Sequence, residues 1–226
     1  MLRQLKKDIR VVFERDPAAR NIWEVLFCYP GLHAVWMHRV AHRLYQRKWI
    51  FFARFLSHIN RFLTGVEIHP GAVLGEGLFI DHGMGIVIGE TAVVGRNVTI
   101  YKGVVLGGTG KEKGKRHPTI GDNVVISSSS TVLGSIRIGN NVKIGAGSVV
   151  LKDVPDNCTV VGVPGRVVVR NGKKIFDAGI GEIDLNHAEL PDPVIEMIGC
   201  LQKRINHLEH RMRELEVEHH YGHQII

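Results

Sequence analysis

The stretch IGETAVVGRNVTIYKGVVL, residues 88–106, decides the fold. Its aliphatic residues Ile88, Val94, Ile100 and Leu106 stand six positions apart, whereas an amphipathic helix needs a period of about 3.6. The spacing extends upstream through Ile68, Leu74 and Ile80, and resumes at Ile120, Ile126, Val132, Ile138, Ile144 and Val150. Such hexapeptide periodicity predicts a parallel β-helix, in which short strands stack and each coil buries its aliphatic ladder against the next. A glycine often follows the aliphatic residue, as at Gly75, Gly89, Gly121 and Gly145, and glycines and asparagines permit sharp corners between flat faces.

Two interruptions carry more information than the repeat. Ile80 to Ile88 is two residues too long, with the surplus around Asp81-His82-Gly83-Met84-Gly85. Leu106 to Ile120 is eight too long, spanning residues 107–118. A solenoid coil tolerates an insertion only by extruding it at a corner, and both protrusions carry His beside a charged residue. Loops displayed this way are frequently the binding apparatus of repeat proteins.

The chain has 226 residues and a net charge of +7, enough for one solenoid plus a helical domain. Its basic residues are scattered, apart from a cluster at Lys111 to Arg116 in the extruded loop. Nucleic-acid binding, which needs a basic stripe with stacking aromatics, is therefore excluded as an expectation. A small phosphate-bearing ligand suits the cluster better. Cys28, Cys158 and Cys200 form no CxxC pair, so neither a zinc site nor a disulfide framework is indicated. No signal peptide is evident, charges interrupt every apolar run, and the cytoplasm is the expected location.

Residues 1–65 read as a helical domain with breaks near Asp16-Pro17 and Pro30-Gly31. Trp36, Trp49, Phe51, Phe52 and Phe55 are read as core or subunit interface in preference to a membrane-surface helix. The solenoid spans 66–168 and a linker 169–192. Over 193–219, Val194, Ile198, Leu201, Ile205, Leu208, Met212 and Leu215 follow a 4-3 spacing, the seam of a helix that pairs with copies of itself. Packing of this helix on its own solenoid is the alternative. Residues 220–226 form a tail ending in Ile226.

With these features in view, the chain resembles the serine O-acetyltransferases of the hexapeptide-repeat acyltransferase superfamily. The resemblance rests on Glu14-Arg15-Asp16-Pro17-Ala18, Val66-Glu67-Ile68-His69-Pro70, Asp81-His82 and Ile88-Gly89-Glu90-Thr91. It continues through Leu106-Gly107-Gly108-Thr109-Gly110-Lys111, Arg116-His117-Pro118, Ile144 to Val150 and Gly162-Val163-Pro164. The implied fold is α+β: an N-terminal α-helical domain, a left-handed parallel β-helix and a C-terminal heptad helix. The left hand comes from the resemblance, since spacing gives no hand.

The implied reaction moves acetyl from acetyl-CoA to the hydroxyl of L-serine, with no metal. His82 matches the general base, a role suited to an imidazole, and Glu67 the carboxylate that orients it. The best-known members have Asp at this position, so Glu67 adds a methylene. Asp16 and Asp81 are expected to hold the serine ammonium and Arg116 its carboxylate, with His117 aiding substrate binding or the oxyanion and Glu90 nearby. Gly107, Gly108, Thr109, Ser128, Lys143, Ala146 and Lys152 are the expected coenzyme contacts. The run Ser127 to Ser130 departs from the Gly-Ala pattern common there.

The resemblance also implies a homo-trimer or dimer of trimers, inhibition by L-cysteine, and docking of the Ile226 tail into O-acetylserine sulfhydrylase. Three rivals stay open. They are an acetyltransferase acting on a sugar or antibiotic hydroxyl, a zinc enzyme using His69, His82 and His117, and a non-catalytic assembly subunit.

Overall fold

A computed structural model of the chain describes residues 2–110, 113–174, 202, 204–209, 211 and 212. The chain divides into two units, residues 1–190 and 191–226. In the first, four helices precede the solenoid: α1 (Leu2–Arg15), α2 (Ile22–Cys28), α3 (Pro30–Gln46) and α4 (Ile50–Thr64). Asn21 caps α2 by accepting the Glu24 N–H, and Pro30 opens α3, where its missing N–H costs nothing. The break between α3 and α4 at residues 47–49 carries neither Gly nor Pro, so no turn residue signals it in the sequence.

Three sheets of very short strands wrap the solenoid core. The first stacks Glu67–Ile68, Val87–Ile88, Val105–Gly107, Thr131–Leu133 and Val149–Val150, all parallel. The second holds Val73–Leu74, Val93–Val94, Thr119–Ile120 and Arg137–Ile138. The third runs from Phe79–Ile80 through Thr99–Ile100, Val125–Ile126 and Lys143–Ile144 to Cys158–Val161. It ends with Arg166–Arg170 and Lys173–Lys174, which pair antiparallel and close the solenoid beyond residue 168. The fold is thus α+β, a helical region followed by a left-handed parallel β-helix.

The hexapeptide aliphatics point inward as the period requires. Ile68, Ile88, Ile100, Leu106, Ile120, Ile126, Ile138 and Ile144 are each fully buried, and each is worth about 1.5–3 kcal/mol of transfer free energy. Corners between the second and third sheets stack Asn97, Asn123, Asn141 and Asn157, all at positive φ. Their side-chain amides bond in sequence up the stack, at 3.3, 3.2 and 2.8 Å. Asparagine tolerates the left-handed conformation that β-branched residues resist, so this ladder sets the corner.

Strand register places the two insertions. Glu67 pairs with Val87, Val87 with Val105, Val105 with Thr131 and Thr131 with Val149, so successive coils take 20, 18, 26 and 18 residues. The two surplus residues leave at the corner from third to first sheet. The eight leave at the opposite corner, from first to second sheet.

Helix α4 has reversed amphipathicity. Ala53, Ser57, Asn60 and Thr64 face inward, where Ser57 Oγ donates to the Ile68 carbonyl and Asn60 Nδ2 to that of Ala34. Trp49, Phe51, Phe52, Phe55 and Phe62 are instead exposed, Phe62 at 89%. The core reading of Trp49, Phe51, Phe52 and Phe55 is therefore corrected. Small hydrogen-bonding side chains let α4 approach the first coil, leaving the rings outside. Trp36 alone of the five is partly buried, with Nε1 donating to Asp8. No described helix is long and apolar enough to cross a membrane.

In the second unit, residues 202, 204–209, 211 and 212 are helical, with Ile205, Leu208 and Met212 exposed. The rest of the heptad segment, Cys200 and the tail ending in Ile226 lie outside the described residues.

Candidate active site

The residues expected to bind and react divide between two edges of the first sheet. At the edge entering that sheet, Asp81 to Gly85 bulge outward and are tied down by backbone bonds, Asp81 N–H to Ile100 and Gly85 N–H to Gly65. His82 adopts φ +58°, a strained region in which an imidazole is displayed instead of buried. Its side chain is 74% exposed, with Nε2 3.9 Å from Asp81 Oδ2.

The N-terminal helices complete this edge. Gly31 in α3 lies so close to the solenoid that a Cβ there would stand 2.2 Å from the Ile80 carbonyl oxygen. Arg15, the last residue of α1, donates to the Val98 carbonyl and to Thr99 Oγ1. Asp16 follows directly, one oxygen accepting the Ala18 N–H and the other the Tyr29 hydroxyl at 2.6 Å. Burial, the Asp16 bond and the charges of Asp16 and Asp81 push the Tyr29 phenol up. Burial, followed by the Asp81 charge, also raises that of Tyr101. The two carboxylates thus share one neighbourhood, as an ammonium group would require.

Glu67 lies one strand below, and its Oε2 meets Arg61 Nη1 at 3.0 Å. Among the described residues no hydrogen bond joins Glu67 to His82. Gly83, next to His82, packs on Val66, next to Glu67.

At the edge leaving the first sheet, Arg116 Nη2 bonds Glu90 Oε2, and the Tyr45 hydroxyl donates to Glu90 Oε1 at 2.9 Å. Arg116 holds the Glu90 carboxyl below the usual carboxylate range, against the opposing effect of burial. Both oxygens of Glu90 are therefore engaged, one by the Tyr45 hydroxyl and the other by Arg116, whose guanidinium Glu90 aims. His117 is buried beside them; desolvation, with Arg116 second, lowers its pKa. Lys115 Nζ donates to the Thr91 carbonyl, which pulls the returning loop onto the coil below. His69 stands on this edge too, its pKa lowered to about 4, chiefly by burial.

Of the expected coenzyme contacts, Gly107 ends a first-sheet strand, and Gly108 and Thr109 are exposed, Gly108 beside Arg116 and His117 and Thr109 beside Gly134. Ser128 and Ala146 lie on the His82 edge, Lys143 is half-buried in the third sheet, and Lys152 is exposed beyond the last first-sheet strand. Lys111 and Glu112 are not described. Among the described residues no three His, Cys, Asp or Glu side chains gather as a metal site. His69 and His117 share one edge while His82 occupies the other.

Tyr29, Tyr45 and Thr91 escaped sequence reasoning as site residues. Tyr29 sits in the break between α2 and α3, 13 positions from Asp16, and Tyr45 sits on α3, 45 positions from Glu90; no spacing rule links either pair. Thr91 was visible only as part of a motif.

A family model described as "Bacterial transferase hexapeptide (six repeats)" matches residues 117–152. A Bacillus subtilis protein named serine acetyltransferase is 58% identical over 212 residues, covering 94% of this chain and 95% of that one. The Neisseria gonorrhoeae serine acetyltransferase solved in complex with serine superposes at a TM-score of 0.72 and 48% identity, covering 74% of this chain and 69% of that one. A serine acetyltransferase solved in complex with cysteine superposes at 0.73 and 41% identity, over 74% and 70%.

Proposed function

Because the chain belongs to the serine acetyltransferase family, and is thus an acyltransferase, we propose that it makes O-acetyl-L-serine from L-serine and acetyl-CoA, with His82 as general base. The arrangement of charge supports this most directly. An exposed imidazole shares an edge with two carboxylates, and the opposite edge presents an aimed guanidinium. A zwitterionic amino acid needs both signs at a fixed separation, whereas a sugar hydroxyl needs neither.

In this reading Asp16 and Asp81 hold the ammonium, and Arg116, steadied by Glu90, grips the carboxylate in a bidentate fork. His82 removes the hydroxyl proton as serine oxygen attacks the thioester carbon. The tetrahedral intermediate places its charge on the former carbonyl oxygen, where His117 donates a hydrogen bond. Collapse breaks the carbon–sulfur bond, and His82 returns its proton to the departing thiolate. Glu67 stabilises the imidazolium once its carboxylate exchanges Arg61 for His82.

Acetyl-CoA lies along Gly107, Gly108 and Thr109 of one copy and Ser128 and Ala146 of its neighbour, with Lys143 and Lys152 toward the phosphates. The division of charged groups between two edges favours a homo-trimer or dimer of trimers, in which the edge of one solenoid completes that of the next. L-cysteine, close to serine in shape, competes for the same site; a relative holding cysteine supports this. The tail ending in Ile226 docks into O-acetylserine sulfhydrylase, and the enzyme works in the cytoplasm.

Thiol release from acetyl-CoA, measured with a panel of hydroxyl acceptors, tests the reading. A strict serine requirement, lost in His82→Ala, is expected. Equal turnover with a sugar acceptor, or full activity in the variant, would refute it.

A further inference from the structure

We propose that Thr91 is a positioning residue that holds His117 as a neutral imidazole with its only N–H on Nε2; the inference rests on the acetyl-transfer reading above. The tautomer follows from counting donors and acceptors. Thr91 Oγ1 accepts the backbone N–H groups of Arg116 at 3.0 Å and of His117 at 3.1 Å, which fills both of its lone pairs. Its own proton must therefore be donated, and His117 Nδ1 stands 2.9 Å away. The backbone N–H of Thr91 donates to the same nitrogen at 3.2 Å. A nitrogen receiving two donors carries no proton, so the neutral ring bears its hydrogen on Nε2.

The ring's surroundings aim that hydrogen. A Cβ on Gly89 would stand 1.9 Å from Cδ2 and 2.1 Å from Nε2, so the ring occupies space that only glycine leaves open. A Cβ on Gly108 would stand 3.2 Å from Nε2, placing the donor beside the backbone assigned to the thioester arm. Burial and the Arg116 charge both disfavour the imidazolium, in keeping with a neutral ring. A neutral N–H stabilises a developing oxyanion without offering a second acid to compete with His82 for the proton inventory. Thr91 also ties the backbone of Arg116 and His117 to one hydroxyl, so carboxylate grip and oxyanion donor share one anchor.

Nitrogen-15 NMR of the full-length protein labelled in histidine reads each ring nitrogen, with His117→Gln identifying the signal. Wild type is expected to show His117 protonated on Nε2 alone. Thr91→Val, which keeps the shape and loses the hydroxyl, is expected to lose that signature and about 10²-fold in kcat, more than any change in the KM for serine. Thr91→Ser should restore both. Wild-type His117 protonated on Nδ1 or on both nitrogens would overturn the proposal, even if Thr91→Val fails to fold. So would a Thr91→Val enzyme with unaltered kcat. Absence of serine acetylation in wild type would instead defeat the functional reading, and leave the tautomer assignment to the spectrum.

Discussion

Arg116 shows how a residue's place in an extruded loop can be read in sequence while its contacts stay hidden. Its place in an extruded loop marked it as a ligand group, but what aims it is Glu90, itself held by Tyr45 from helix α3. The Tyr45 bond crosses 45 positions, and no local pattern encodes it. Tyr45→Phe removes one charge-assisted hydrogen bond, worth about 1.5–3 kcal/mol at most. The expected outcome is a KM for serine raised about tenfold with kcat nearly unchanged, read by steady-state kinetics. Glu90→Gln should act in the same direction and more strongly, because Arg116 loses its counter-charge. His82→Ala is expected to behave oppositely, losing about 10²–10⁴ in kcat with serine binding retained, since in the proposed mechanism it removes proton transfer alone. The outward display of His82 was legible because its protrusion breaks a strict period. The Glu67–Arg61 pair was not, because it depends on where α4 ends.

Among the elements, the solenoid was almost wholly readable, since one inward aliphatic residue per strand dictates both strand and register. Its corners make a direct stability test. Asn141→Ala removes a left-handed residue and two amide bonds of the ladder, and should lower unfolding stability by about 1–3 kcal/mol in chemical denaturation. Ser129 offers the reverse case. It holds φ +59° where the neighbouring coils have Gly103 and Gly147, so Ser129→Gly should stabilise by about 0.5–1 kcal/mol. Helix α4 was misread in part because hydrophobicity alone points inward, and only hydrogen bonding of Ser57, Asn60 and Thr64 reverses the face. Its exposed rings form an apolar patch of the kind that covers subunit contacts. Phe55→Glu with Phe62→Glu is expected to yield smaller assemblies by light scattering while helix content by circular dichroism holds.

For the whole molecule, acid sensitivity follows from His38, 2% exposed where α3 meets the solenoid. Burial, with His42 adding to it, lowers its pKa to about 3. An unfolded histidine titrates near its ordinary value of about 6.5, so between these values the unfolded chain holds one more proton. The contribution is complete above about pH 6.5 and declines as pH falls toward 3, at about 1.4 kcal/mol per pH unit for this proton. Denaturation midpoints should therefore drop over that range, and His38→Gln should flatten the slope. Assembly is the larger question at this scale, because His82 and Arg116 belong to opposite edges of one sheet. Co-assembling His82→Ala subunits with Arg116→Ala subunits, each inactive alone, puts an intact His82 edge against an intact Arg116 edge at some boundaries. Thiol release with serine is expected to reappear in the purified mixed oligomers. Mixed oligomers as inactive as either parent would contradict a site shared between neighbouring copies.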